Sequence, residues 1–395
     1  MGRTGITVFY HRIEAETWLG GANYFRNLEE VTARFLTDVE LRGISYTDVK
    51  VFYPAFRDKF RVAMNRLLRR KEEPSFVSRG RRQYLESLSP GREICAFVLF
   101  SGHFPMLADL PVIFWVPDFQ VFHLPGYFKP EDIERRKKNY AAGAAKADII
   151  LLSSDAARKD LNRFYPGHES KVKVLRFVVD IPGAVYEKDP RFLLEKYHLP
   201  EKFIYVPNQF WVHKNHALII EALAVLKRRN HELHVVLSGS TLDPRNPGHY
   251  DSLLGLVKAN GLEKNISVLG IIEKEDVAQL IRQSCFVINA SRFEGWSTTV
   301  EEVKSIGKKI LLSSLDVHRE QDPPGASYFD PDNAGELAEL MLSAWNSSAA
   351  GPDAEMEKHA RETLPLRLKG FAETFGDIVH SLMDADSRRK KEQEK

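Results

Sequence analysis

The chain is marked first by what it lacks. It has only two cysteines in 395 residues. Cys95 and Cys285 both sit in apolar runs, which excludes a disulfide framework and reads as reduced core residues of a cytoplasmic protein. No apolar run reaches the roughly 18–20 residues that a membrane-spanning helix needs, and the longest, such as ICAFVLF, have the length of a buried strand. The N-terminus passes straight into the strand-like ITVFY, so no leader is expected. Neither sign of charge dominates: 56 Lys+Arg stand against 54 Asp+Glu, a net charge of +2 and a pI near 8.3. No nucleic-acid partner is expected. Neither GxGxxG nor GxxxxGK[ST] occurs, which weakens dehydrogenase and NTPase readings. No His/Cys/Asp group has the spacing of a zinc site, and no Asp-x-Asp metal clamp is evident.

What is present is an alternation of short apolar runs and amphipathic helices, the pattern of βαβ units and a parallel sheet. In the first half, strands are predicted at 6–11, 49–54, 93–100, 112–118, 147–155 and 171–180, with helices at 23–37 and 131–145. The second half repeats the rhythm. Strands are predicted at 203–207, 234–239, 266–270, 285–290 and 309–314, and helices near 215–229, 249–260, 275–283, 298–306 and 333–344. The pattern breaks at VDIPGAVYEKDP, giving an N-terminal domain over 1–182, a second over 183–375, and a helix end with a charged, disordered tail over 376–395. Between Lys59 and Arg82, nine Lys/Arg face two Glu. That stretch reads either as a membrane-surface patch for anionic lipid or as a solvated helix and loop.

The candidate chemistry clusters where strands end, because open α/β sheets bind ligands at the C-terminal edge of their strands. SRFEGWSTTVEEV (291–303) puts Glu294 in a strand-to-helix loop and Glu302 on the helix that follows. Free N–H groups around Gly295, Trp296, Ser297 and Thr298 suit an anion or sugar oxygens. Carboxylates accept hydrogen bonds from vicinal hydroxyls; the alternative is that Glu301 and Glu302 decorate a solvent face. NQFWVHKNH (208–216) places Asn208, Gln209 and Lys214 after the next domain's first strand, with Lys214 at a helix start suited to phosphate. Gly239 ends the following strand. WLGGANYF brings Gly20 and Gly21 ahead of a helix, where paired glycines let a ligand approach the backbone. His103 follows ICAFVLF, and Asp118 and His123 lie in the aromatic loop WVPDFQVFHLPGYF. For these histidines a structural role stays open beside sugar recognition. Ser153 and Ser154 read as a helix cap.

Together these segments resemble the retaining glycosyltransferases of GT-B fold related to sucrose and glycogen synthases (family 4 type). Glu294 and Glu302 match the E-x7-E motif, with FEGWSTTVEE in place of FEGFGLPxxE. The segment at 115–128 is similar to WIPDFQHxxxPEFF of bacterial members that build surface polysaccharides. The resemblance implies an α/β protein of two Rossmann-like domains whose parallel sheets face a central cleft. It implies a hexosyltransferase that moves a sugar from a nucleotide diphosphate sugar, GDP-mannose-like or a UDP-sugar, to a saccharide or lipid-linked hydroxyl. Glu302 would hold the donor ribose, with Glu294 and the backbone after it on the donor sugar. Lys214 would offset the leaving diphosphate, Gly20–Gly21 would approach it from the other domain, and His103 or His123 would meet the sugar. Asp118 and His123 would face the acceptor. No cofactor beyond the co-substrate and no metal is expected, and the location is cytoplasmic with peripheral contact at the inner membrane face through 59–82. The chain departs from the family at Gln209, where an Arg is usual, and at Trp296–Thr298, whose bulk is expected to affect donor choice. A non-catalytic nucleotide-sugar-binding protein, or an epimerase on the same fold, is the rival reading.

Overall fold

The structure, a computed structural model, describes residues 5–13, 15–44, 76–99 and 110–393. The strand expected at 49–54, most of the basic stretch at 59–82, and His103 lie outside them.

The first sheet contains β1 (Ile6–His11), β2 (Val39–Ile44), β3 (Glu93–Leu99), β4 (Val112–Val116), β5 (Ile149–Leu152) and β6 (Val172–Val174), in the order β2-β1-β3-β4-β5-β6. The second contains β7 (Ile204–Pro207), β8 (Val235–Ser238), β9 (Ile266–Val268), β10 (Val287–Asn289), β11 (Ile310–Ser313) and β12 (Ser327–Phe329), in the order β12-β11-β10-β7-β8-β9. All strand pairs are parallel. Helices cover both faces of such a sheet, which is why VIFWV and IILL are buried at every position instead of alternating.

The helices of the first half are α1 (Ala15–Phe35), α2 (Phe76–Leu88), α3 (Gln120–His123), α4 (Pro130–Lys146) and α5 (Asp155–Phe164). Those of the second are α6 (Phe192–Lys196), α7 (His216–Arg228), α8 (His249–Ala259), α9 (Lys274–Gln283), α10 (Thr298–Ile306), α11 (Asp316–Gln321), α12 (Ala334–Ser347) and α13 (Ala354–Gln393). Ser154 caps α5 by accepting from Ala157 N at 3.0 Å.

Several expectations need correction. α1 begins at Ala15 instead of Asn23, so Gly20 and Gly21 lie inside a helix and not in a loop before it. An interior glycine costs about 1 kcal/mol relative to alanine, and the buried Tyr24, Phe25, Leu28 and Val31 on the same helix outweigh that. The strand expected over 171–180 stops at Val174, and Phe177–Val179 and Ile181 enter the core as part of the interdomain connector. The tail is not disordered through Gln393, since it continues α13. That helix returns from the second domain to the first: Phe375 stacks on Phe97 at 6.2 Å, His380 meets Asp38 at 2.9 Å, and Arg389 meets Asp148 at 2.6 Å. The division drawn at 375/376 falls within it. Among the described residues no helix is long and apolar enough to cross a membrane.

One apolar cluster runs through both domains, joining Val8, Phe97 and Trp115 of the first sheet to Val300, Val303 and Leu312 of the second through Phe371, Phe375 and Val379 of α13. The turn after β4 and the loop after β10 touch beside it, where Gly295 approaches Pro117 O.

Candidate active site

The loop between β10 and α10 is held from several sides. Asn289 donates to Ser297 Oγ at 2.9 Å, and Ser297 in turn caps α10 by accepting from Val300 N. Gln321 accepts from Ser297 N at 3.1 Å and donates to Ser297 O at 3.0 Å. Within this frame Glu294, largely buried, accepts from Lys214 Nζ at 2.6 Å and from Ser291 Oγ at 2.6 Å. Burial alone would push the Glu294 carboxyl up, but the charges of Lys214, His318 and His213 and the Lys214 hydrogen bond together hold it at about 2.

The two adjacent glutamates on α10 have opposite circumstances. Glu301 is consumed by structure: it pairs with Arg367 of α13 and accepts from Gln321 at 3.1 Å. Glu302 is half-buried and makes no hydrogen bond or ion pair among the described residues. Burial pushes its carboxyl up to about 7, against a weaker pull from Lys274. A partly desolvated carboxylate without a donor is poised to accept hydroxyls.

Lys214 ends a 3₁₀ turn, and Asn215, at a φ of 60°, leads into α7. Asn208 donates to Thr299 Oγ1 at 3.1 Å, tying the β7 loop to α10, and its Oδ1 is buried without a partner among the described residues. Gly239 has a φ of 137°, and a Cβ there would stand 2.6 Å from Asn208 O, so only glycine lets the β8 and β7 loops approach. Gln209 follows on the β7 loop, and the same Cβ would stand 2.8 Å from its Cα. Burial drives His213 down to about 3 and also lowers His318, so both rings are neutral at pH 7.

Across the cleft, Asp118 accepts from Gln120 N at 2.9 Å. Burial pushes its carboxyl up with help from the Glu294 charge, against the Gln120 N–H and the Arg136 and Arg245 charges. Gly295 faces this turn so closely that a Cβ would stand 2.2 Å from Pro117 O. His123 pairs with Asp160 at 2.8 Å, and its ring centroid is 5.1 Å from that of Phe293. Trp296, expected to bear on donor choice, has its side chain turned to the domain contact. Its indole packs on the shared core and donates to Phe177 O at 3.0 Å, so its bulk ties the domains together. Ser297 is likewise engaged as a cap, and Thr298 opens α10 beside it. Glu294, Lys214, Asn208, Gly295 and Asp118 thus converge, with Glu302 one helical turn behind; Gly20 and Gly21 stand on α1.

Sequence reasoning passed over the segment DVHREQ of α11. Gln321 braces the site loop, while Glu320 accepts from Asp155 N and Ala156 N of the first domain and pairs with Arg176 at 2.7 Å. The signal was there: a polar run directly after the strand KILLSS. Arg245 was also missed, and so were two literal Asp-x-Asp triplets. Asp332 of the first pairs with Arg292, and Asp386 of the second with Arg389 and Lys390, which makes both parts of ordinary ion pairs. Among the described residues no group of three or more His, Cys, Asp or Glu is gathered as a metal site.

Residues 189–363 match the family described as Glycosyl transferases group 1. Mannosylfructose-phosphate synthase of Agrobacterium fabrum is 22% identical over 175 residues, 44% of this chain and 37% of that protein. An N-acetylgalactosamine-N,N'-diacetylbacillosaminyl-diphospho-undecaprenol 4-alpha-N-acetylgalactosaminyltransferase of Campylobacter jejuni is 31% identical over 195 residues, 49% of this chain and 47% of that protein. The chain thus spans less than half the length of these curated relatives. Over nearly the whole chain the fold is that of GT-B enzymes. Anabaena HepE, solved with UDP and glucose, superposes with a TM-score of 0.64 at 12% identity over 95% of this chain and 100% of that one. Sucrose-phosphate synthase of Thermosynechococcus elongatus gives 0.64 at 16% identity over 96% and 100%.

Proposed function

We propose that the protein is a retaining glycosyltransferase of the family 4 type, moving a sugar from a nucleoside diphosphate sugar to a hydroxyl of a saccharide or lipid-linked acceptor. The observation that carries this reading is the contrast on α10: Glu301 is engaged by Arg367 and Gln321, whereas Glu302 has no hydrogen-bond or ion-pair partner among the described residues. A ribose diol supplies the two donors such a carboxylate lacks. The Campylobacter relative's name specifies a diphospho-undecaprenol acceptor, which supports a lipid-linked one here, and HepE's complex with UDP and glucose supports the donor class.

In this reading the acceptor hydroxyl attacks the anomeric carbon from the face the diphosphate leaves. The bond from that carbon to the phosphate oxygen breaks, its electron pair departs with the diphosphate, and the acceptor proton passes to that oxygen. Lys214 stabilises the charge that develops. Its Nζ is already at hydrogen-bond distance from Glu294, which fixes the ammonium before any ligand arrives. Glu294 contacts the sugar beside the reacting carbon, and Asp118 on the opposite turn orients the acceptor. Because neutralisation rests on side chains and backbone N–H groups, turnover should survive EDTA.

The test is a thermal-shift panel of UDP-, GDP-, ADP- and dTDP-sugars on the wild type and on Glu302→Ala. One base class should raise the wild-type midpoint, because a ligand that binds only the native state stabilises it by mass action. The variant should not respond. No response from the wild type, or an equal response from both proteins, would overturn the reading.

A further inference from the structure

The charge balance around Lys214 is incomplete for a diphosphate. Its ammonium lies 2.6 Å from Glu294, so the pair carries no net charge. The flanking His213 and His318 are neutral, and Arg292 is paired with Asp332. Gln209, at the mouth of the same loop, brings none. A departing diphosphate gains a negative charge as the bond to the sugar breaks, and a site with no net positive charge would leave it unbalanced.

The Arg245 guanidinium stands over that loop. Arg245 lies 5.1 Å from the ring centroid of Trp211, two residues after Gln209, and 4.8 Å from that of Phe128 in the first domain. Its loop is pinned to the Lys214 loop because Val212 N donates to Asp243 Oδ2 at 3.3 Å. Asp243 also accepts from Arg245 N at 3.0 Å and from Asn246 at 3.2 Å, and it is 3.7 Å from Arg245 Nε, which leaves the guanidinium loosely countered. Arg245 Nη1 reaches across the cleft to Gln120 Oε1 at 3.1 Å.

We infer that Arg245 is the second diphosphate-directed cation of this enzyme, supplying from the β8 loop the charge that Gln209 does not bring, and exchanging Gln120 for a phosphate oxygen when donor binds. The inference rests on the glycosyltransferase reading above. An arginine suits the task, since its planar fork can hold two phosphate oxygens at once while the flanking rings keep it oriented.

The test is calorimetric titration with whichever of UDP, GDP, ADP and dTDP binds the wild type, alongside the matching monophosphate. Arg245→Gln should weaken the diphosphate by roughly tenfold or more, as expected for losing a hydrogen bond to a charged group. The monophosphate should change by less than about threefold. Arg245→Lys should retain part of the diphosphate affinity, Gln120→Ala should retain all of it, and Gln209→Arg should restore it in the Arg245→Gln background. Equal losses for both nucleotides would overturn the inference, as would Gln120→Ala reproducing the Arg245→Gln loss, which would make Arg245 a domain latch. If the wild type binds no diphosphate at all, the glycosyltransferase reading itself fails. Circular dichroism confirms the fold of each variant, and if Arg245→Gln does not fold, Arg245→Lys against Arg245→Met carries the comparison.

Discussion

Glu302→Gln should stabilise the free protein while abolishing its use. Burial raises the Glu302 carboxyl from 4.5 to about 7, a difference of 2.5 units between the unfolded and folded states. Each unit corresponds to about 1.36 kcal/mol, so the ionised side chain costs the fold up to about 3 kcal/mol. The folded state binds the proton more tightly, so this cost is absent below about pH 4.5, grows as pH rises towards 7, and is constant above that. A neutral glutamine of the same shape escapes it. In urea unfolding, Glu302→Gln should exceed the wild type by about 2–3 kcal/mol at pH 8 and by only about 1 kcal/mol at pH 5. The nucleotide side follows from the same linkage. A ribose that donates to the carboxylate favours its ionised form, so binding near pH 6.5 should release protons and affinity should rise through pH 7. A stability difference that is flat with pH, or a variant less stable than the wild type at pH 8, would mean that Glu302 has a native partner and would refute the reasoning.

Lys214→Ala strips the counter-charge from buried Glu294 and should cost about 3–5 kcal/mol at pH 7 in urea unfolding, most of it recovered by adding Glu294→Gln. Because Glu294 is depressed to about 2, its stabilisation is present above pH 4.5 and lost as pH falls towards 2; acid titration of stability should show this step in the wild type and not in Glu294→Gln. Glu301→Ala should likewise cost about 3–5 kcal/mol by orphaning Arg367, yet leave nucleotide affinity within about threefold, the reverse of Glu302→Gln. Gly295→Ala should force the Pro117 turn away, lowering kcat and enlarging the radius of gyration in X-ray scattering, with nucleotide affinity unchanged.

Much of this architecture was legible because a parallel sheet buried on both faces writes its strands as unbroken apolar runs. CFVINA and KILLSS could be placed for that reason, as could α10, whose start at Thr298 the Ser297 cap marks. The edge strands β2 and β12 escaped because VELRGI and SYF carry exposed or half-buried positions and lack such a run. All of α13 but its end escaped because its apolar residues serve two domains in turn and a proline, Pro365, interrupts the pattern. At the site, Glu294 and Lys214 could be nominated from their places after strands, but their 2.6 Å contact spans 80 residues and no local pattern encodes it. The partner of the Trp296 indole was invisible for the same reason: Phe177 O is in the other domain. The difference between Glu301 and Glu302 depends on which face of α10 meets Arg367, and that only the packed structure decides.

The most direct measurement of the central claim is proton NMR of the wild type incubated with α-linked UDP-glucose, UDP-N-acetylgalactosamine and GDP-mannose together with a panel of free and diphospho-undecaprenol-linked saccharide acceptors, following the anomeric signals of the first-formed product. The account requires that one donor disappear with stoichiometric release of its nucleoside diphosphate and that the new anomeric centre be α. A first-formed β-anomer, or all three donors persisting beside a folded protein that binds their nucleotides, would contradict it.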